Sequence, residues 1–384
     1  MRFSLLAVVL AASALAVSVL EGCATRTPSQ APAPSVAPNP KPEPAREPKA
    51  PPKLHPERAP AALPLGFADL EGWAQDDHAA AFAAFVSNCA VAREMALAIV
   101  CQRATVAGRL DEPGARRFLE ANFRPERLPD TGLLTAYYTP VYEARSRSGG
   151  EFTSPLRPRP ADLPRQRSDG GTGQVYPDRS DIEARPAGDA LAWMRPEDLF
   201  FLQIQGSGVL TFPDGVRLRA VFDGANGAPF LGIAASMRRE GLLADQDTSS
   251  EKIHTWLAAH RGPEAASVMR LNRRYVFFHL QPDDGAEPSG AAGVRLTPGR
   301  ALAMDLTRHA FGEAFWVDAT SPVLSGAFPN YRRMAMVLDT GGAIKGDVRA
   351  DLYMGVGPLA GSEAGRVRHL LRLFRLTPLI EAAP

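Results

Sequence analysis

The apolar positions of this chain change their period several times, and each change marks an element. A first apolar run covers residues 5–20, after Arg2, and ends at Gly22-Cys23. It is shorter than the ~20 residues a spanning helix needs and reads as an export signal. Residues 28–64 show no apolar period at all: 13 of the 37 are proline, mixed with Ala, Lys and Glu, so nothing there can form a core. Residues 67–123 read as helical. DDHAAAFAAFVSNCAVA places apolar residues at helical spacing, and DEPGARRFLEANF offers Asp111 as an N-cap with an early proline, turning Phe118, Leu119 and Phe123 toward a core. From Thr131 the period becomes two. TGLLTAYYTPVYEA predicts a strand, and a polar, Pro/Gly-rich stretch follows over 145–179. LFFLQIQGSGVLTFPDGVRLRAVFDG (199–224) predicts a β-meander turning at Gly206-Ser207-Gly208 and Pro213-Asp214-Gly215. A short helix is expected over 248–260. Strands are expected again at RYVFFHL (274–280), AFWVDA (314–319) and MAMVLD (334–339). Many short strands with frequent turns and no internal repeat give a mainly β protein with N-terminal helices, of barrel or sandwich type.

Composition adds limits. A formal net charge of +1 argues against a nucleic-acid partner recognised through global charge. The proline-rich segment should be an extended, semi-rigid tether reaching ~100 Å. Leu20-Glu21-Gly22-Cys23 resembles a bacterial lipoprotein processing box, with Glu21 a departure from it. That resemblance implies acylation of Cys23 and anchoring through a lipid. Ala24, rather than an aspartate, implies the outer membrane and a periplasmic location. Only Cys89 and Cys101 then remain, and an oxidising compartment would let them pair. The seven histidines show no metal-ligand spacing and nothing resembles a phosphate loop, so neither a metal nor another cofactor is expected.

The densest chemistry lies in LDTGGAIKGDVRADLYMGVG (338–357), with Asp339, Asp347 and Asp351, Lys345 and five glycines. MAMVLD is an apolar strand that ends in a carboxylate, and Gly341-Gly342 permit a sharp turn or a close backbone approach. A carboxylate at the end of a rigid strand, followed by such a turn and a second carboxylate, can present an acid to a polymer. The alternative is a hairpin with solvated aspartates.

TAYYTPVYEAR (135–145), DLFFLQIQGSG (198–208) and LDTGGAIKGDVRADLYMGVGPLAG (338–361) occur in this order behind an export signal. Together they resemble the membrane-bound lytic murein transglycosylase A (MltA) family, the last segment resembling its 3D motif of three aspartates. The resemblance implies a double-psi β-barrel domain from residues 66–142 and 272–380. It also implies a smaller inserted β-barrel domain over 143–271, with a substrate groove between them, after a signal peptide (1–23) and tether (24–65). The three aspartates correspond to Asp305, Asp339 and Asp351, with Asp351 in the catalytic position; Asp347 is read as a solvated turn residue.

The implied reaction cleaves the β-1,4 bond between N-acetylmuramic acid and N-acetylglucosamine in peptidoglycan glycan strands. Asp351 acts first as acid and then as base, and 1,6-anhydromuramoyl products form. Asp351 should then have a raised pKa, through burial or the field of Asp339. Asp339, Asp305 and Lys345 are supporting residues; Lys345 should point away from Asp351 or contact substrate. Tyr138, Thr139, Gln203, Gln205, Ser207 and Tyr353 are substrate-binding candidates, because neutral hydrogen-bonding groups suit sugar hydroxyls and N-acetyl groups. Cell-wall synthesis complexes are conceivable partners. Two other readings compete: a two-carboxylate wall hydrolase with Asp339 as its second group, and a non-catalytic peptidoglycan-binding lipoprotein.

Overall fold

The computed structural model describes residues 65–163, 176–243, 248–321 and 328–380. The expected export signal, Cys23 and the expected tether up to residue 64 lie outside them. Three helices open the described part: α1 (His78–Asn88), α2 (Met95–Ala107) and α3 (Glu112–Asn122). Asp77 and Asp111 cap α1 and α3, accepting from the backbone N–H of Ala80 and Gly114 and so satisfying donors the helices leave open. Cys89, in a single 3₁₀ turn after α1, is disulfide-bonded to Cys101 of α2, with Cα atoms 5.5 Å apart.

The chain then enters the sheets through β1 (Phe123–Arg127) and β2 (Gly132–Thr139). Pro140 has no N–H to donate, and after it the chain crosses to a second sheet as β3 (Val141–Glu143). There follow β4 (Ser154–Leu156), α4 (Arg179–Glu183), β5 (Ala192–Met194), α5 (Pro196–Gln205), β6 (Ser207–Thr211) and β7 (Arg217–Ala225). Next come α6 (Ala234–Arg239), α7 (Ser250–Ala259), α8 (Pro263–Arg270) and β8 (Val276–Pro282). The chain returns to the first sheet with β9 (Ala301–Met304), β10 (Ala314–Thr320), β11 (Asn330–Asp339), β12 (Arg349–Val356), α9 (Pro358–Ala364) and β13 (Arg368–Pro378).

The first sheet runs β1-β13-β10-β11-β9-β12-β2, and a further β13–β2 pairing closes six of its strands into a barrel. Pairs β11–β9 and β12–β2 are parallel, the others antiparallel. Side chains alternate across a strand, so the barrel has two buried faces. Leu134, Leu302, Val317, Ala335, Val337, Ala350, Leu352 and Leu371 fill the lumen. Trp316, Met334, Met336, Leu338 and Phe374 face outward and are covered by Phe85, Leu97 and Leu119 of the N-terminal helices. Each such side chain is worth roughly 1.5–3 kcal/mol against exposure. A buried ion pair locks the helical cap to the barrel. Arg300 holds Asp76 at 2.8 and 3.1 Å and also donates to the carbonyls of Asp77 and Met334, while Asp76 accepts from Met334 N.

The second sheet runs β3-β6-β7-β8, with the two-stranded β4-β5 sheet beside it. Two expectations change here. Residues 199–205 form part of helix α5, not a strand. Pro196 opens it, Glu197 and Asp198 sit in its first turn, and Gly206 ends it at φ 81°; a proline at the start and a left-handed glycine after the end are helix signals. The strand predicted at 274–280 is β8, which pairs with β7 rather than rejoining the barrel. The second sheet therefore begins at Val141 and ends at Pro282, beyond both edges of the expected 143–271.

Candidate active site

β2 and β12 lie parallel with Thr135 opposite Asp351 and Tyr137 opposite Tyr353. Leu134, Ala350 and Leu352 point into the lumen, so the alternate residues 135, 137, 351 and 353 share the outer face. Thr135 Oγ1 donates to Asp351 Oδ1. Arg349, two residues earlier on the same face, donates from Nη2 to Thr135 Oγ1 at 2.8 Å. The threonine hydroxyl thus accepts from a cation and aims its own proton at the acid. Asp351 is half-buried. That burial pushes its carboxyl above the ordinary aspartate value; the Thr135 hydrogen bond and the Arg349 charge oppose the shift, and the charge of Asp339 adds to it.

Asp339 closes β11. Its Oδ1 accepts from the backbone N–H of Ala291 and of Thr340, both at 2.9 Å, and its Oδ2 accepts from Tyr137 OH at 2.7 Å. Burial raises its pKa as well, against those three donors. The Tyr137 ring stands 5.3 Å from that of Tyr353. Tyr353 is fully buried; its hydroxyl donates to Glu287 Oε2 at 2.6 Å and lies 3.1 Å from Thr139 Oγ1. Glu287 belongs to the segment that returns from β8 to the barrel, so this bond ties the return to the site.

Asp305 has a different task. It accepts from Thr307 N (3.1 Å), Thr307 Oγ1 (2.9 Å) and Gly346 N (2.9 Å), with Lys345 Nζ at 3.5 Å. Burial acts to raise its pKa, but these bonds and Lys345 hold it below the ordinary value. It pins the loop after β11 to the end of β9. Lys345 is turned to Asp305 and is otherwise exposed; Asp347 is exposed, 3.7 Å from Arg308. Among the described residues Asp339 and Asp305 each accept from three donors, whereas Asp351 accepts from one, the Thr135 hydroxyl.

The sugar-binding candidates divide. Thr139 and Tyr353 meet in the buried cluster above. Tyr138 is half-buried, packed against Gly361, where an added Cβ would lie 2.6 Å from the tyrosine ring. Gln205, near the end of α5, accepts from Tyr138 N at 3.3 Å and lines a cavity with Phe201, Ile204 and Phe230. Ser207 is half-buried at the start of β6. Gln203 is fully buried and donates to Val276 O at 3.2 Å, so it binds β8 rather than facing an opening. Sequence reasoning missed Thr135, Tyr137, Arg349 and Glu287. The period-two alternation of TAYYT and RADLY places the first three on the acid's face once the parallel pairing is known; nothing local marks Glu287. Among the described residues no group of three or more His, Cys, Asp or Glu side chains is placed to hold a metal ion.

Residues 133–279 match the family model of the MltA specific insert domain, and residues 300–377, which hold all three aspartates, match that of the 3D domain. The crystal structure of a membrane-bound lytic murein transglycosylase from Agrobacterium tumefaciens is similar over 82% of this chain and 97% of its own, with 32% identity and a TM-score of 0.70. The chain belongs to the MltA family. The membrane-bound lytic murein transglycosylase A of Escherichia coli (strain K12) is 32% identical over 249 residues, 63% of this chain; the match spans 65% of that relative's length. A crystal structure of E. coli MltA with bound chitohexaose is similar over 80% of this chain and 90% of its own, at 26% identity and a TM-score of 0.62.

Proposed function

We propose that this protein is a lytic transglycosylase of peptidoglycan, with Asp351 as its one acid–base group. The observation that carries the reading is the environment of Asp351: a half-buried carboxyl with its pKa pushed up, held by one hydroxyl donor on a face shared with Tyr137 and Thr135. Such a group holds a proton more readily than a free aspartate, as a general acid must. In the proposed reaction Asp351 gives its proton to the glycosidic oxygen as the bond from N-acetylmuramic acid to N-acetylglucosamine breaks. The resulting carboxylate then takes the proton of the muramoyl C6 hydroxyl while that oxygen closes on C1. The product is a 1,6-anhydro ring, no water adds, and Asp351 ends protonated as it began.

A two-carboxylate hydrolase would need a second carboxylate free to act beside Asp351. Asp339 is the neighbour, and both of its oxygens are taken by donors. In this reading Asp339 positions Tyr137 and raises Asp351, and Asp305 shapes the loop. Family membership supports the substrate, since E. coli MltA has been seen with a bound glycan chain. The same reading places the glycan in a groove between a barrel domain and an inserted domain. It also has Cys23 acylated and the fold carried on the proline-rich tether in the periplasm. Asp351→Asn should lower the rate of peptidoglycan solubilisation by about 10³-fold while the melting curve stays cooperative. An Asp351→Asn protein that still released anhydro-muropeptides at the parent rate would remove Asp351 from the mechanism.

A further inference from the structure

Arg274 is a cation that the mechanism leaves unused, and it stands where the second sheet meets the aspartate-bearing loop. Its backbone is fixed from both sides: its N–H donates to Asn272 Oδ1 at 3.3 Å, and its carbonyl accepts from the buried Arg179 at 2.7 Å. Its side chain reaches the barrel. A Cβ added to Gly342 would lie 3.4 Å from the guanidinium carbon. Gly342 follows Asp339 by three residues, a span of at most roughly 11 Å.

Despite being half-buried, this guanidinium has no carboxylate partner among the described residues. Its side chain makes one long contact, from Nη1 to Ala228 O at 3.4 Å. Burial pushes its pKa below the ordinary arginine value, and no acid opposes the shift. The contrast with its neighbours is direct: Arg179, Arg261, Arg270 and Arg273 each hold an acidic side chain. A guanidinium offers five donors in a fork that matches a carboxylate, and a partly desolvated one without an anion is costly to maintain for packing alone.

We propose that Arg274 is a carboxylate-binding residue for the substrate, taking an anionic group carried by the glycan strand beside the bond that is cleaved. This rests on the peptidoglycan reading above and names a determinant within it. Two sources have the right chemistry: the carboxylates of the stem peptide on N-acetylmuramic acid, and the free lactyl carboxylate left where that peptide is absent. Either would make the protein discriminate between muramoyl glycans and neutral ones. Arg274 would then set specificity, and the proton transfers would remain with Asp351.

The test is binding to the full chain carrying Asp351→Asn, which separates recognition from turnover. The probes are a muramoyl tetrasaccharide with its stem peptides, the same molecule with all carboxylates amidated, the peptide-free tetrasaccharide with free lactyl carboxylates, and chitohexaose. Amidation should weaken binding of the peptide-bearing probe at least about tenfold. Arg274→Gln should abolish that difference, Arg274→Lys should restore part of it, and chitohexaose should bind all three proteins alike. If the peptide-free probe binds as tightly as the peptide-bearing one, and through Arg274, the lactyl carboxylate is the ligand; if it binds weakly, the stem peptide is. Equal binding of the free and amidated probes by the protein with Arg274 intact would overturn the proposal, and that comparison needs no substitution at 274. Loss of the transglycosylase reading would appear separately, as absence of cleavage by the parent protein.

Discussion

At the residue scale the account turns on the balance around one carboxyl. Burial and the charge of Asp339 push Asp351 up; the hydroxyl of Thr135 and the charge of Arg349 pull it down. In the proposed reaction the protonated form starts the cycle, so activity should be retained below the folded pKa and fall as pH rises through it. Thr135→Val removes a bond that favours the carboxylate. The falling limb of the pH–rate profile should therefore move to higher pH. Asp339→Asn removes a charge that disfavours the carboxylate, and the limb should move to lower pH. Initial rates of peptidoglycan solubilisation across pH for the two variants check both signs; shifts in the same direction would contradict the electrostatic picture. The proposed acid, Asp351, is named by RADLY and its family resemblance. Its modulators are not, because Thr135 reaches Asp351 across 216 residues of chain, and only the parallel register of β2 on β12 makes them neighbours. Gln203 shows the opposite difficulty: its polarity suggests a sugar contact, but it is buried and its amide nitrogen donates to β8.

At the element scale, the helical cap and the barrel are joined by a charge placed in the interior. Asp76 and Arg300 are 8% and 4% exposed. Removing one member of such a pair leaves the other charged and buried, at about 3–5 kcal/mol. Asp76→Ala should therefore lower unfolding free energy by that amount in urea titration, whereas a surface pair such as Arg366–Glu363 should change it by under about 1 kcal/mol. Much at this scale was legible in the sequence. Asp111 caps α3 as its sequence predicts, and the strands at 314–319 and 334–339 follow their apolar runs. The segment at 199–205 was misread because LFFLQIQ is apolar nearly throughout and cannot fix a period by itself. Pro196 and Gly206 held the deciding signal. The pairing of β8 with β7 was not legible either, since partner choice depends on what the returning chain meets in space.

At the scale of the whole molecule, a mainly β fold of closed barrel and second sheet is held at its start by a cross-link that spans 12 positions. Closing a loop of that size restricts the unfolded chain by about 3 kcal/mol. The Cys89→Ser, Cys101→Ser double variant should lose about 2–4 kcal/mol, and reductant should lower the melting temperature of the parent but not of the variant. A melting temperature insensitive to reductant in both would mean the cross-link adds nothing to stability. The chain passes from β2 of the barrel into β3 of the second sheet, and the return from β8 carries Glu287 back to Tyr353. The return segment is thereby fastened to the barrel on the face that carries Asp351.

The central claim is that the bond is broken without water. Digesting purified peptidoglycan with this protein in ¹⁸O-labelled water, and reading the new muramoyl ends by mass spectrometry, tests it directly. The account predicts 1,6-anhydro ends one water lighter than hydrolysed ends and free of ¹⁸O, all of them lost in Asp351→Asn. New reducing ends carrying ¹⁸O would contradict it and would make a hydrolase of the same site.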